Sequence, residues 1–122
     1  MFRAILEGIA HGTRHALDAY AEAGQRPARI FAVGGGTRNQ VWAQATSDIC
    51  GITQLVREKT VGASYGNAFL AAMALGDATP PDIERWNPVV ATLRPRGELK
   101  DLYDGRHAAF RGLYPATKPF LP

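Results

Sequence analysis

A single cysteine, Cys50, is all the thiol chemistry in this 122-residue chain, which excludes an intrachain disulfide and a cysteine-pair metal site. It sits on the apolar side of a helical stretch and reads as a buried, inert thiol. Histidine is nearly as scarce. His11 and His15 stand four apart, but no acidic residue completes a zinc pattern with them, so no metal ligand is expected and His11, His15 and His107 read as solvent-facing or partly buried. Fourteen basic residues outnumber eleven acidic ones, yet they are spread from Arg3 and Arg14 through Arg57 and Lys59 onward. No stretch has the dense positive cluster of a phosphate-tracking surface, which argues against a nucleic-acid partner. No run nears the ~20 apolar residues of a membrane span, and residues 1–10 lack a basic-then-apolar leader. The chain therefore reads as cytoplasmic, with no membrane association.

What remains is an ordinary globular composition, 46% hydrophobic and 20% charged. Residues 1–23 repeat with helical period: Phe2, Ile5, Leu6, Ile9, Ala16, Leu17 and Tyr20 share one face, and Gly24 and Pro27 end it. Arg29–Val33 is a short, nearly continuous apolar run, as in a strand buried on both faces. A second helix starts near Arg38, with Val41, Trp42, Ala45, Ile49 and Cys50 facing inward and Gln40, Gln44, Ser47 and Asp48 more polar. Gly51 caps it. Thr53–Arg57 reads as a strand and Val61–Leu75 as a helix closed by Gly76. This α-β-α-β-α order over 1–76 predicts an α/β fold with a parallel sheet. Residues 77–97, punctuated by Pro80, Pro81, Pro88 and Pro95, read as an irregular connection with Trp86 tucked against the body. Residues 98–122 read as a helix to about Leu113 and an extended tail over 114–122.

The sharpest local feature is the turn Gly34-Gly35-Gly36-Thr37-Arg38-Asn39 between a strand and a helix. Glycine there admits positive φ and lets a ligand approach backbone without meeting a Cβ. The helix that follows offers free N–H groups to an anion. The turn is neither a Walker A loop, which needs Gly-Lys-Ser/Thr, nor a dinucleotide fingerprint, which would need glycine at Asn39. A purely structural turn stays open beside nucleotide binding. Asn39 and Gln40 carry amides that can hydrogen-bond a heterocycle or ribose, while Asn39 also suits a helix cap. Gly62 and Gly66 lie one turn apart on the third helix, a pattern for close helix–sheet packing or for ligand approach.

The stretch Gly34-Gly35-Gly36-Thr37-Arg38-Asn39-Gln40-Val41-Trp42, with Gln44, Ser47-Asp48-Ile49 and Gly51, resembles the adenosine segment of the FGGY carbohydrate kinases. Ala63–Ala72 resembles that family's Gly/Ala-rich helix, and Tyr103, Phe110–Pro115 and Lys118-Pro119 its terminal aromatic helix. The style of the middle segment is nearest xylulokinase-like members. The resemblance implies the C-terminal part of an actin/Hsp70-like (RNase-H-like) ATPase domain. It further implies an ATP site in which Gly35 and Gly36 lie against the adenosine or α-phosphate and Asn39 reaches the adenine, with Gly34, Thr37 and Gln40 as neighbours. Mg²⁺ is implied for a complete enzyme, but no ligand for it here.

Whole members of that family are several times longer. Their N-terminal Asp-x-Gly-Thr motif and the aspartate that deprotonates the sugar hydroxyl have no match, so no catalytic residue is assigned. The expectation is an ATP-side fragment of a kinase that phosphorylates a ketose or polyol, its partner being the missing N-terminal kinase domain. The alternative is a non-catalytic nucleotide-binding or assembly module of the same fold. Only the last two strands of the domain's sheet are expected here. Open sheet edges predict that the isolated chain forms a homodimer or exchanges elements.

Overall fold

The computed structural model describes residues 1–120. Helix α1 (Phe2–Glu22) turns at Gly24, where φ is +75°, and feeds strand β1 (Ile30–Ala32). A 3-10 turn over Gly35–Arg38 opens helix α2 (Gln40–Cys50), followed by strand β2 (Gln54–Arg57) and helix α3 (Gly62–Leu75). Gly51 and Gly76 close α2 and α3 in the left-handed conformation, which costs glycine little. β1 and β2 pair in parallel, with Phe31 opposite Leu55. The alternating order expected over 1–76 is present.

The connection over 77–97 is more regular than its prolines suggest. It holds a short helix α4 (Ile83–Trp86) and a third strand β3 (Val89–Leu93), antiparallel to β2, so the sheet order is β1-β2-β3. Pro88 and Pro95 flank β3 rather than interrupt its ladder, where proline is tolerated. Asn87 sets the strand's start: its buried side chain accepts from Lys59 N at 2.8 Å and donates to Lys59 O at 2.9 Å, acting as one more ladder rung. Arg57 fastens the same corner through both carboxylate oxygens of Glu84 and the carbonyl of Asn87, with its guanidinium over the Phe31 ring. Trp86 does pack inward, edge-on to Phe69 of α3 at 5.3 Å.

The final helix also departs from expectation. Helix α5 (Lys100–Thr117) runs through Pro115, and a 3-10 turn continues over Lys118–Phe120, so residues 114–120 are helical rather than extended. The turn is exposed, and the Thr117 hydroxyl donates to Leu113 O at 2.8 Å in the region where the proline lacks an N–H. Residues 121 and 122 of the expected tail lie outside the described residues.

The core is small and lies where α1, α2 and α5 meet: Ala10, Ile49 and Tyr103, with Leu99 packed on it. On α1 the buried residues are Leu6, Ala10 and His11, whereas Phe2, Ile5, Ile9 and Tyr20 of the expected apolar face are exposed. α2 buries Ala45 and Ile49 as expected, leaves Val41 exposed, and buries Ser47 and Asp48 from its polar side. α3 is the extreme case: its sequence is apolar nearly all round, a pattern of helices enclosed on every side, yet only Phe69 is buried. The chain exposes 8400 Å², whereas a folded monomer of 13.2 kDa exposes about 6400 Å². The excess is roughly 2000 Å², and large apolar side chains such as Phe2, Ile5, Leu70 and Leu75 are among what the chain exposes.

Asp48 explains how a chain with so small a core stays ordered. Its side chain is fully enclosed, and one oxygen accepts from Arg96 N and Gln44 Nε2, both at 2.9 Å. The other accepts from Arg96 Nε at 3.0 Å and Nη2 at 2.6 Å. Burial raises the carboxyl pKa, but the Arg96 hydrogen bonds outweigh it and hold the group below its ordinary 3.8. Asp48→Ala is expected to cost about 2–3 kcal/mol in urea unfolding, because Arg96 and Gln44 lose the enclosed acceptor that ties the loop after β3 to α2. With the folded value below the unfolded one, the carboxylate's contribution is present above pH 3.8 and is lost as the pH falls through the folded value. Acid unfolding of Asp48→Asn should lack that component, and identical acid profiles for parent and variant would contradict this account.

Candidate functional site

β1 and β2 are parallel, so the loops leaving them meet at one edge of the sheet, the edge where open α/β sheets take ligands. Gly34 N donates to Thr60 O at 2.9 Å, tying the two loops together and setting the glycine turn beside the start of α3. Gly34 has φ +90° and ψ 178°, a combination open to glycine and strained for other residues.

The three glycines have different surroundings. A Cβ on Gly35 would meet nothing within 4 Å, leaving that backbone open to an incoming group. A Cβ on Gly36 would overlap the Cζ3 edge of the Trp42 indole, so Gly36 is dictated by packing. The N–H groups at the start of the turn, those of Gly35 and Gly36, have no partner within it. Thr37 closes the turn on itself, its N–H and hydroxyl donating to Gly34 O at 3.2 and 2.7 Å. Asn39 caps α2: its Oδ1 accepts from Trp42 N at 3.1 Å. The cap uses only the carbonyl half of the amide, and Nδ2 has no hydrogen-bond partner among the described residues.

An open cavity of about 640 Å³ borders the turn and takes in Thr37 and Gln40 from the sequence-derived set. Its floor is apolar, with Val41, Val56 and Leu93, and its polar rim adds Arg3, Gln44 and Arg96. A smaller cavity of about 260 Å³ on the Trp42 side includes Gly36 and Thr37. Gly34, Gly35 and Asn39 line neither. Gln44 belongs to the stretch that carries the family resemblance, whereas Arg3 and Arg96 were not singled out from sequence and no local signal marks them, since α1 and the loop after β3 reach the rim only through the fold. Gly62 and Gly66 have nothing within 4 Å of an added Cβ, so the expected close helix–sheet packing at these two positions is not made among the described residues. Cys50 is half-buried, and burial pushes its thiol up to about 11, consistent with an unreactive group. No helix is long and apolar enough to cross a membrane among the described residues. The same residues contain no group of three or more His, Cys, Asp or Glu able to hold a metal ion, and the cavity rim carries no carboxylate. The residues that line this cavity therefore do not fit a Mg²⁺ ion.

Residues 1–75 match the family model described as the FGGY family of carbohydrate kinases, C-terminal domain. A xylulose kinase of Staphylococcus epidermidis is 29% identical over 118 residues, 95% of this chain and 24% of its own length. The solved xylulose kinase of Rhodospirillum rubrum superposes with a TM-score of 0.83 at 29% identity, covering 96% of this chain and 24% of that one. A Brucella ovis structure described as a xyloylose kinase gives 0.81 at 31% identity, covering 97% and 25%. The chain spans about a quarter of the length of these relatives.

The glycine surroundings separate packing from binding. Gly36→Ala is expected to destabilise the fold by about 1–3 kcal/mol and to alter the near-ultraviolet circular dichroism of Trp42, as overpacking does. Gly35→Ala should leave both nearly unchanged. Equal effects of the two substitutions would show that the indole does not close on position 36.

Proposed function

The chain belongs to the FGGY family of carbohydrate kinases, and from that premise we propose that it forms one wall of the ATP site of a sugar kinase. Its fold is the C-terminal part of an actin-like ATPase domain. The observation that carries the reading is the Gly34–Asn39 turn, with an open approach at Gly35, unpartnered N–H groups and a half-used Asn39 amide. Free N–H groups favour a phosphate or ribose oxygen, and the Asn39 Nδ2 can donate to a ring nitrogen of adenine. Thr37 and Gln40 stand beside them with a hydroxyl oxygen and an exposed amide. ATP bound here would supply the phosphoryl group, and the part of the kinase beyond this chain would supply the Mg²⁺ ligands and the base. The acceptor is a ketose or polyol, and the xylulose kinases among the relatives favour a ketose.

Phosphoryl transfer is mostly positioning and charge neutralisation. This segment contributes positioning, and no carboxylate at the cavity rim can act as the base. In the complete kinase, Asn39→Asp keeps the helix cap but loses the Nδ2 donor. It should raise KM for ATP about tenfold, the equivalent of one hydrogen bond of ~1.4 kcal/mol, with KM for the sugar unchanged. An unchanged KM for ATP in both Asn39→Asp and Gly35→Ala would remove the turn from the nucleotide site.

Expressed without the rest of the kinase, the segment is expected to show no turnover and to self-associate through α3 and the open edge of β1. Light scattering that finds a stable monomer at low concentration would contradict the second expectation.

A further inference from the structure

Ninety-six residues apart in sequence, His11 of α1 and His107 of α5 meet inside the protein, 6% and 4% exposed. Their Nδ1 atoms are 3.3 Å apart and their ring centroids 5.5 Å apart, so the two nitrogens lie between the ring centres and face each other. Phe110 and Tyr103 pack around them. The far nitrogen of His107, Nε2, lies 2.8 Å from Asp18 Oδ2. The nucleotide-site reading does not use this cluster.

The proton count follows from the contacts. Ionised Asp18 only accepts, so His107 Nε2 carries a hydrogen. With both rings neutral, His107 Nδ1 is then an acceptor and His11 Nδ1–H donates to it. One added proton is tolerated: the bridging proton passes to His107, His11 takes the new one on Nε2, and the single positive charge faces Asp18. A second added proton has no place, because both Nδ1 atoms would carry hydrogens pointed at each other between two cations.

We propose that His11 and His107 form a proton-counted latch that holds α5 on α1 while the pair carries at most one added proton, and releases when it carries two. The other charged and titratable groups facing the pair do not supply an acceptor for a second proton. From α1, Glu7 is taken by Arg3, Tyr103 and Arg106, and Arg14 by Asp104. Asp18 already holds His107, and from α2 the Cys50 thiol donates weakly to Ala10 O. Burial first, and then the charge of His107 and Arg14, push His11 below its ordinary 6.5. The unfolded chain therefore takes up this proton at a higher pH than the folded one. The latch's contribution is complete above pH 6.5 and declines as the pH falls below it.

The test compares the parent chain with His11→Asn, whose amide can still donate toward His107 but cannot titrate. Between pH 6.5 and 5, the parent's folding equilibrium constant should fall more steeply than the variant's, by up to about tenfold per pH unit for one proton. Imidazole nitrogen resonances of the parent should show His11 titrating below 6.5 and, at neutral pH, donating from Nδ1 or accepting there. Identical pH slopes, or a His11 that titrates in the folded chain at 6.5 or above, would overturn the proposal. If His11→Asn does not fold, the parent's resonances alone decide it.

Discussion

The enclosed carboxylate of Asp48 is the contact on which the arrangement of this chain depends. It projects from the last turn of α2 toward the loop that leaves β3, and three of its four hydrogen bonds come from Arg96. Gln44 and Ser47 reinforce it by donating to Arg94 O and Leu93 O. Ser47 in turn accepts from Gln54 at the start of β2. A polar seam thus runs from the central strand through α2 to the beginning of α5. With so few side chains fully buried, this seam does the fixing that a larger apolar core does in a self-contained domain. The glycine turn inherits its position from it, because the turn is the N-terminal end of the same helix.

The parts legible in the sequence were those written in neighbouring residues. Helical periods, the strand-like run before Gly34, and the closing glycines at 51 and 76 gave the order of the first five elements. Asn39 was readable as a cap because a cap is made within three residues. β3 was hidden by the prolines around it, and its partner is β2, more than thirty residues earlier. Asp48 was assigned to the polar side because its burial depends on Arg96, which no helical period reveals. For the same reason His11 was weighed with His15, its neighbour in sequence, and not with His107, and neither His11 nor His107 was expected to be buried as it is. At the candidate site the turn was found from its glycines, while Arg3 and Arg96 came to the same cavity only through folding.

The misassigned face of α1 and the bare surface of α3 have a common origin. Both sequences carry enough apolar residues for burial, and the expectation of a buried face rested on that pattern, but among the described residues nothing covers most of these side chains. The chain spans about a quarter of the length of the relatives it matches. Hydrophobic patterning records the environment of the whole folded protein, so in a segment it can point to neighbours that the segment does not contain.

The contact between Gly36 and Trp42 makes the two positions one shared volume. The indole occupies the space a side chain at 36 would take, and the backbone of the turn is shaped around that ring. Neither residue can therefore change size independently: a larger residue at 36 requires a smaller one at 42, and a smaller one at 42 leaves a void under the turn. Across related sequences the pair should be read as a single character, with bulk exchanged between its members and their sum held nearly constant.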